Sequence, residues 1–240
     1  MGNLFKCQLV FHNKMRCYWL RVCSSPGYAH IAHILGLGHY KKADSGNDEF
    51  SRQAIHFYKY GYFEDLFLEQ LKDLMERYFM MAVPKFDFMT LYPTRQRNGF
   101  NTYMDGLLKK LSALTCMPYR QILTRKKDIK PNHDLKTFEE RKNNVADSIE
   151  LLEDVKGKRV IVVDNTSTTG ISLIEVTNQL LAKGASTVVC LCLALSDKEK
   201  ETDFDLNLSK KWDINEIITT FKSKKVPKGK IEKWKLAQVK

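Results

Sequence analysis

Asp164, Asn165, Thr166, Ser167, Thr168, Thr169 and Gly170 are the residues in this 240-residue sequence whose types and spacing most clearly specify chemistry. An apolar run, Val160-Ile-Val-Val, leads into Asp164, and Ile171-Ser-Leu173 follows Gly170. The pattern predicts a buried strand, a short turn and a helix. A helix N-terminus presents unpaired N–H groups and the positive end of the helix dipole. Four hydroxyls would add donors there, and Gly170 would let the backbone approach a ligand closely. Such a loop suits a phosphate dianion. Asp164 and Asn165, at the strand's carboxyl end, stand where acceptors for sugar hydroxyls would be needed.

A plainer alternative is that Thr168 or Thr169 only caps the helix. It leaves four consecutive hydroxyls after an acidic strand end unexplained. Two other phosphate-binding patterns are missing: the sequence has no Gly-Lys-Ser/Thr and no GxGxxG.

The elements that would position this segment can be read from periodicity. From Glu49 the pattern is helical, with Phe67, Leu71, Leu74, Met75 and Tyr78 on one stripe. Phe86–Tyr92 reads as a short strand ended by Pro93, and Met104, Leu107, Leu108, Leu111 and Leu114 mark a helix. Tyr119–Leu123 is expected to be a second strand. Thr124–Lys136 has no periodicity and is expected to be a long mobile loop. Thr137-x-x-Glu140 has the form of a capping box, and Ser148–Leu152 of a strand. Arg159–Asp164 and Thr187–Leu195 read as buried strands. Between them lies a helix faced by Leu173, Val176, Thr177, Leu180 and Leu181, with Gly184 placed to end it. Alternating strands and helices with continuously apolar strands predict an α/β domain with a mostly parallel sheet and helices on both faces. Three regions are expected: an N-terminal hairpin and connector over 1–48, a core over 49–200, and a basic segment over 201–240. The hairpin reading rests on alternation over residues 4–23 around His12-Asn13-Lys14. The connector reading of 24–48 rests on its Gly, Ser, Asp and His content.

The segment resembles the motif by which type I phosphoribosyltransferases bind phosphoribosyl pyrophosphate (PRPP): apolar strand, acidic pair, short linker, Thr-Thr-Gly, helix. More narrowly, Tyr92–Leu195 is similar to the ComF-type phosphoribosyltransferases. The likeness runs through Arg95-Gln-Arg97-Asn98-Gly99-Phe100-Asn101, Leu123-x-Arg125, Glu140-Arg141-x-x-Asn144-Val145, Gly157-x-x-Val160 and Ala182-x-Gly184-Ala185. It implies the type I phosphoribosyltransferase fold with hood elements, and an enzyme of nucleotide metabolism. The reaction implied is transfer of a 5-phosphoribosyl group from PRPP to a nitrogen nucleophile, base or amine, with release of pyrophosphate. Asp164 and Asn165 would be the catalytic pair at the ribose, and Thr166–Gly170 would hold the 5-phosphate. Arg95 and Arg97 would hold pyrophosphate, and Arg125, Lys126 and Lys130 would lie on a mobile loop closing over the site. Mg²⁺ would enter with PRPP near Asp164 rather than through a protein cluster. A homo-oligomer is expected.

Two departures from the family pattern bear on function. Asn165 stands where a second carboxylate is usual and brings no charge to Mg²⁺. A PRPP- or nucleotide-sensing protein, or a nucleic-acid-associated one, with weak or no turnover is therefore an alternative. The family's paired CxxC motifs are also missing. Cys7, Cys17 and Cys23 with His30 and His33 have residue types that bind zinc but not the usual tight spacing, so core cysteines are expected.

Composition sets outer bounds. The chain is 43% hydrophobic and 28% charged, ordinary for a globular protein. Its net charge of +11 calls for an anionic partner. Lys85–Lys130 holds ten Lys or Arg against three Asp, and Lys222–Lys240 holds eight Lys against one Glu. The latter reads as a solvated or helical tail, with nucleic-acid contact the lesser reading. Apolar runs such as Val188–Leu195 are too short to span a bilayer. Residues 1–22 lack a signal-peptide apolar block, so a cytoplasmic, membrane-free protein is expected. Reduced thiols fit that compartment, and Cys190 and Cys192 alternate as small buried hydrophobes.

Overall fold

The computed structural model describes residues 18–41, 48–131, 134–197, 203–206 and 214–220. Its centre is β7 (Arg159–Ser167) paired in parallel with β8 (Thr187–Ser196), two strands dominated by Val, Ile, Leu and Cys. β4 (Phe88–Leu91) adds to β7 in parallel, and β2 (Ala32–Gly36) adds to the other side of β8 in parallel. Beyond β2 lie β1 (Trp19–Cys23) and β9 (Phe204–Asp205), both antiparallel, giving the order β4-β7-β8-β2-β1-β9. The two-residue β3 (His39–Tyr40) pairs with the end of β8.

Alternation along β7 divides the core. Ile161 and Val163 face a layer containing α1 (Glu49–Tyr60), α2 (Glu64–Tyr78), α3 (Thr102–Thr115) and α6 (Ile214–Thr220). Val160 and Val162 face α5 (Ile171–Ala182), together with α4 (Phe138–Val145) and a second sheet, β5 (Leu123–Arg125) antiparallel to β6 (Ile149–Leu151). The fold is thus a mixed α/β sandwich with a mostly parallel sheet, as the periodicity predicts. The expected stripe of α2 is buried in full, and that of α3 is buried except for Leu114. In α5, Leu173, Val176, Thr177 and Leu180 are buried and Leu181 is half-buried. Gly184 takes a left-handed φ of 89° just beyond that helix. The capping box at Thr137 and Glu140 forms in both directions.

Three element assignments change. The stretch 24–48, read as a connector, supplies β2 and β3 to the main sheet. β1 pairs antiparallel with β2 and with β9, and residues 4–11, the expected first strand of the hairpin, lie outside the described residues. Short length hid β3, and Gly-rich flanks hid the apolar Ala32–Gly36 run. Tyr119–Leu123 does not continue the main sheet. Tyr119 makes one bridge to Met89, and the Gln121 amide then donates to Leu91 O at 3.0 Å, the carbonyl a longer strand would have paired. The chain turns off into β5 instead, so Thr124 and Arg125 belong to a strand. Finally, β7 runs past Asp164 to Ser167, because β8 stays apolar alongside it and offers Ala194 and Leu195 as partners.

Candidate functional site

A cavity of about 790 Å³ opens at the carboxyl ends of β4 and β7. Its walls are the β7–α5 junction, the loop after β4, the segment after β5, and two tyrosines, Tyr40 and Tyr58, from β3 and α1. The strands end here because Pro93 stops β4, while Gly170 opens α5 with φ 75°. At Gly170 an added Cβ would meet Cys23 Sγ, so the close approach of β1 beneath the loop requires glycine.

The junction differs from the expected boundaries in one respect. Thr166 and Ser167 end β7, leaving Thr168–Gly170 as the turn. Neither Thr168 nor Thr169 caps α5: the helix has no side-chain cap and no acidic residue in its first turn. By contrast α1, α3 and α4 are capped by Asp48, Asn101 and Thr137 and carry acids there. The N–H groups of residues 168–172 make no backbone hydrogen bond among the described residues. Ser167 Oγ and Thr169 Oγ1 are buried with no hydrogen-bond partner among the described residues. Buried polar atoms are nearly always paired, so these two hydroxyls and the open helix end form a cradle that a phosphate would satisfy.

Asp164 borders the cradle, with Asn165 N–H donating to its Oδ1 at 2.8 Å. Burial pushes its carboxyl up to about 7, opposed by that N–H and by the Arg125 guanidinium. Burial also raises the Tyr58 hydroxyl, with Asp164 adding to the shift and Arg95 opposing it. Tyr58 therefore stands within the field of both the acid and the arginine.

The loop after β4 is a tight turn, with Thr94 N–H on Gly99 O at 2.9 Å and Gly99 N–H on Gln96 O at 3.0 Å. Arg95 is exposed and lines the cavity. Arg97 is exposed on the same turn but is not part of the lining; its N–H donates to Asp128. Thr94 Oγ1 is a third buried hydroxyl without a partner among the described residues, and Thr94 also lines the cavity. Hydroxyl logic at a strand end, applied after Pro93 as it was after Asp164, would have found it.

Arg125 corrects the mobile-loop expectation. It is 2% exposed. Its Nε donates to Thr94 O at 3.0 Å, Nη2 to Tyr92 Oη at 2.8 Å, and Nη1 to Ser148 Oγ. The guanidinium also lies over the Tyr92 ring. A cation so enclosed braces the Thr94 turn rather than closing over a ligand. Lys126 pairs with Asp147 at 2.6 Å and does not line the cavity. Lys130 lines it, with its backbone held by Asn144 through bonds of 3.0 and 2.9 Å.

No group of three or more His, Cys, Asp or Glu that could hold a metal occurs among the described residues. Cys7 and Cys17 lie outside those residues. Cys23 faces the α5 layer with Ala32 and Ile34, whereas His33 pairs across from Val22 on the opposite face, so the two cannot share an ion. Cys190 and Cys192 are buried as expected, and burial pushes the Cys190 thiol up to about 12. The Lys222–Lys240 cluster lies outside the described residues. No helix among these is long and apolar enough to cross a membrane.

The family model described as phosphoribosyl transferase domain matches residues 126–225, a stretch containing the whole Asp164–Gly170 segment. Arg95, Arg97 and Arg125 precede it. No curated protein matches the chain. Among solved structures, a purine phosphoribosyltransferase from Pyrococcus horikoshii is 21% identical, with 56% of this chain and 74% of that one covered at a TM-score of 0.34. A hypoxanthine phosphoribosyltransferase from Staphylococcus aureus is 13% identical, covering 56% and 64% at 0.38. One from Trypanosoma cruzi is 9% identical, covering 55% and 62% at 0.37. The chain thus spans less than two thirds of these last two proteins. The family-model match spans less than half of this chain and takes in β6, β7, α5 and β8.

Proposed function

We propose that the cavity binds PRPP and that the protein transfers its 5-phosphoribosyl group to a nitrogen nucleophile, releasing pyrophosphate. The observation that carries this reading is the uncapped start of α5, where the buried hydroxyls of Ser167 and Thr169 have no partner among the described residues. A 5-phosphate held there would put the ribose over Asp164 and Asn165 and direct the pyrophosphate toward Arg95. The new bond joins nitrogen to the anomeric carbon, the anomeric carbon–oxygen bond to pyrophosphate breaks with its electron pair leaving on oxygen, and the nitrogen sheds its proton.

Little covalent work falls to the protein, so positioning and electrostatics carry the rate. Loop amides and hydroxyls fix the phosphate, Asp164 and Asn165 accept from ribose hydroxyls, and Arg95 stabilises charge growing on the leaving group. Arg97 and Lys130 would add to that field at longer range. Mg²⁺ fits as an ion carried by PRPP beside the single Asp164 carboxylate, where it would neutralise pyrophosphate charge. Similarity to the ComF-type enzymes over Tyr92–Leu195 belongs to the same reading.

Asn165 supports one other reading, a protein that binds PRPP without turning it over, since one carboxylate fewer weakens the hold on Mg²⁺. An assay of PRPP-dependent pyrophosphate release against a panel of nucleobases and amines separates the two. Release with one acceptor class supports the enzyme. Tight PRPP binding without release from any acceptor supports the sensor, and no PRPP binding overturns both.

A further inference from the structure

Beneath the phosphate cradle lies a buried ionic cluster that the proposed chemistry does not use. Arg21, on β1, is 2% exposed. Its Nη1 donates to Thr168 O at 2.7 Å and to Ser167 O at 3.3 Å. Nη2 donates to Ser196 O at 2.6 Å and to Asp203 Oδ2 at 2.7 Å, and Nε to Asp203 Oδ1 at 2.8 Å. His39 Nε2 shares Asp203 Oδ2 at 2.8 Å. Asp203 has a fully buried side chain. Burial works against the Arg21 charge, and Asp203 more than offsets it.

Burying such a pair is poor value for stability alone, because desolvation cancels most of the attraction. Its geometry suggests another use. In a planar trans peptide the C=O and N–H point in opposite directions. Drawing the carbonyls of Ser167 and Thr168 onto one guanidinium therefore turns the N–H groups of Thr168 and Thr169 the other way. Both residues line the cavity on that side, and neither N–H has a backbone acceptor among the described residues. Because Asp203 neutralises Arg21, the effect is one of orientation rather than long-range charge.

We propose that Arg21 is a positioning residue for the phosphate cradle: it fixes the Ser167 and Thr168 peptide planes so that their following N–H groups are preset toward a phosphate. Preset donors bind without first losing conformational freedom. The role rests on the phosphate-binding reading of the cavity and extends it to a residue outside the cavity wall.

The test compares Arg21→Lys with the unaltered protein by calorimetry, using ribose 5-phosphate and magnesium pyrophosphate as separate probes. Lysine keeps the charge but cannot span two carbonyls and a carboxylate. Affinity for ribose 5-phosphate is expected to fall about tenfold or more, and that for magnesium pyrophosphate by less than about twofold, as for loss of one charge-assisted hydrogen bond at one subsite. In the unaltered protein, the Arg21 guanidinium NMR signals should shift on saturation with ribose 5-phosphate. This second measurement decides the matter if the variant does not fold. Unchanged ribose 5-phosphate affinity in a folded variant, equal losses for both probes, or unmoved Arg21 signals would each overturn the positioning role while leaving the phosphate site standing. Failure of the unaltered protein to bind ribose 5-phosphate would overturn the site itself, and the role with it.

Discussion

Replacing Asp164 by Asn should make the ligand-free protein more stable, and increasingly so as pH rises. Burial lifts the folded-state carboxyl from its ordinary 3.8 to about 7. The folded state therefore holds the proton more tightly than the unfolded chain. Below the unfolded value both states are protonated and the residue costs nothing. Between the two values stability falls as pH rises, and above the folded value the whole penalty is present. A difference of about three pH units corresponds to about 4 kcal/mol at full effect. Within the practical range of roughly pH 5 to 8, about 2–3 kcal/mol of it should develop. Asn keeps the side chain's shape and can still accept from Asn165 N–H, so the substitution removes the charge with little else. Urea unfolding of both proteins at several pH values, with the same m-value, measures the difference directly. A stability difference that stays constant across that range, or an Asp164→Asn variant that is the less stable at the high end, would refute the claim that a desolvated carboxyl sits at the cavity.

Four other outcomes follow from the geometry. Arg95→Ala should weaken PRPP binding by about tenfold while barely affecting a nucleoside monophosphate, and Arg97→Ala should cost less, since only Arg95 lines the cavity; calorimetry with both ligands checks this. Arg125→Met should destabilise the fold by about 3 kcal/mol in urea, because Thr94 O, Tyr92 Oη and Ser148 Oγ all lose their donor. Gly170→Ala should cost about 2 kcal/mol or more, from a left-handed φ and from contact with Cys23 Sγ, measured the same way. Asn165→Asp should tighten PRPP binding in the presence of Mg²⁺ and weaken it without the metal, the first because Mg²⁺ prefers carboxylate oxygens and the second through charge repulsion; titrations in both conditions give the two signs.

Much of this architecture is legible in the sequence where periodicity runs long. The stripes of α2, α3 and α5 and the apolar runs of β7 and β8 have enough residues to fix both type and buried face. The hydroxyl run after Asp164 also stands out locally, because Thr166, Ser167, Thr168 and Thr169 follow one another at a strand end. What escapes reading depends on partners distant in sequence. β3 is two residues long and exists only because the end of β8 pairs with it. Tyr40 and Tyr58 reach the cavity through tertiary packing, and no local pattern marks them. Arg125 looks like one more cation in a basic stretch. Its burial arises from Tyr92, Thr94 and Ser148, which surround it from elsewhere in the chain. Arg21 is hidden in the same way, since its acceptors lie more than 140 residues away.

On the proposed function, the hydroxyls and amides at the start of α5 hold the phosphate of PRPP. Titration of Mg²⁺–PRPP into the unaltered protein and into Thr169→Val tests it most directly. Thr169 Oγ1 is buried and has no partner among the described residues, so removing it should leave the fold intact. Saturable binding to one site per chain is expected in the unaltered protein, competed by ribose 5-phosphate, with affinity about tenfold lower in the variant. Absence of binding to the unaltered protein, or equal affinity in the two, would contradict this placement of the phosphate.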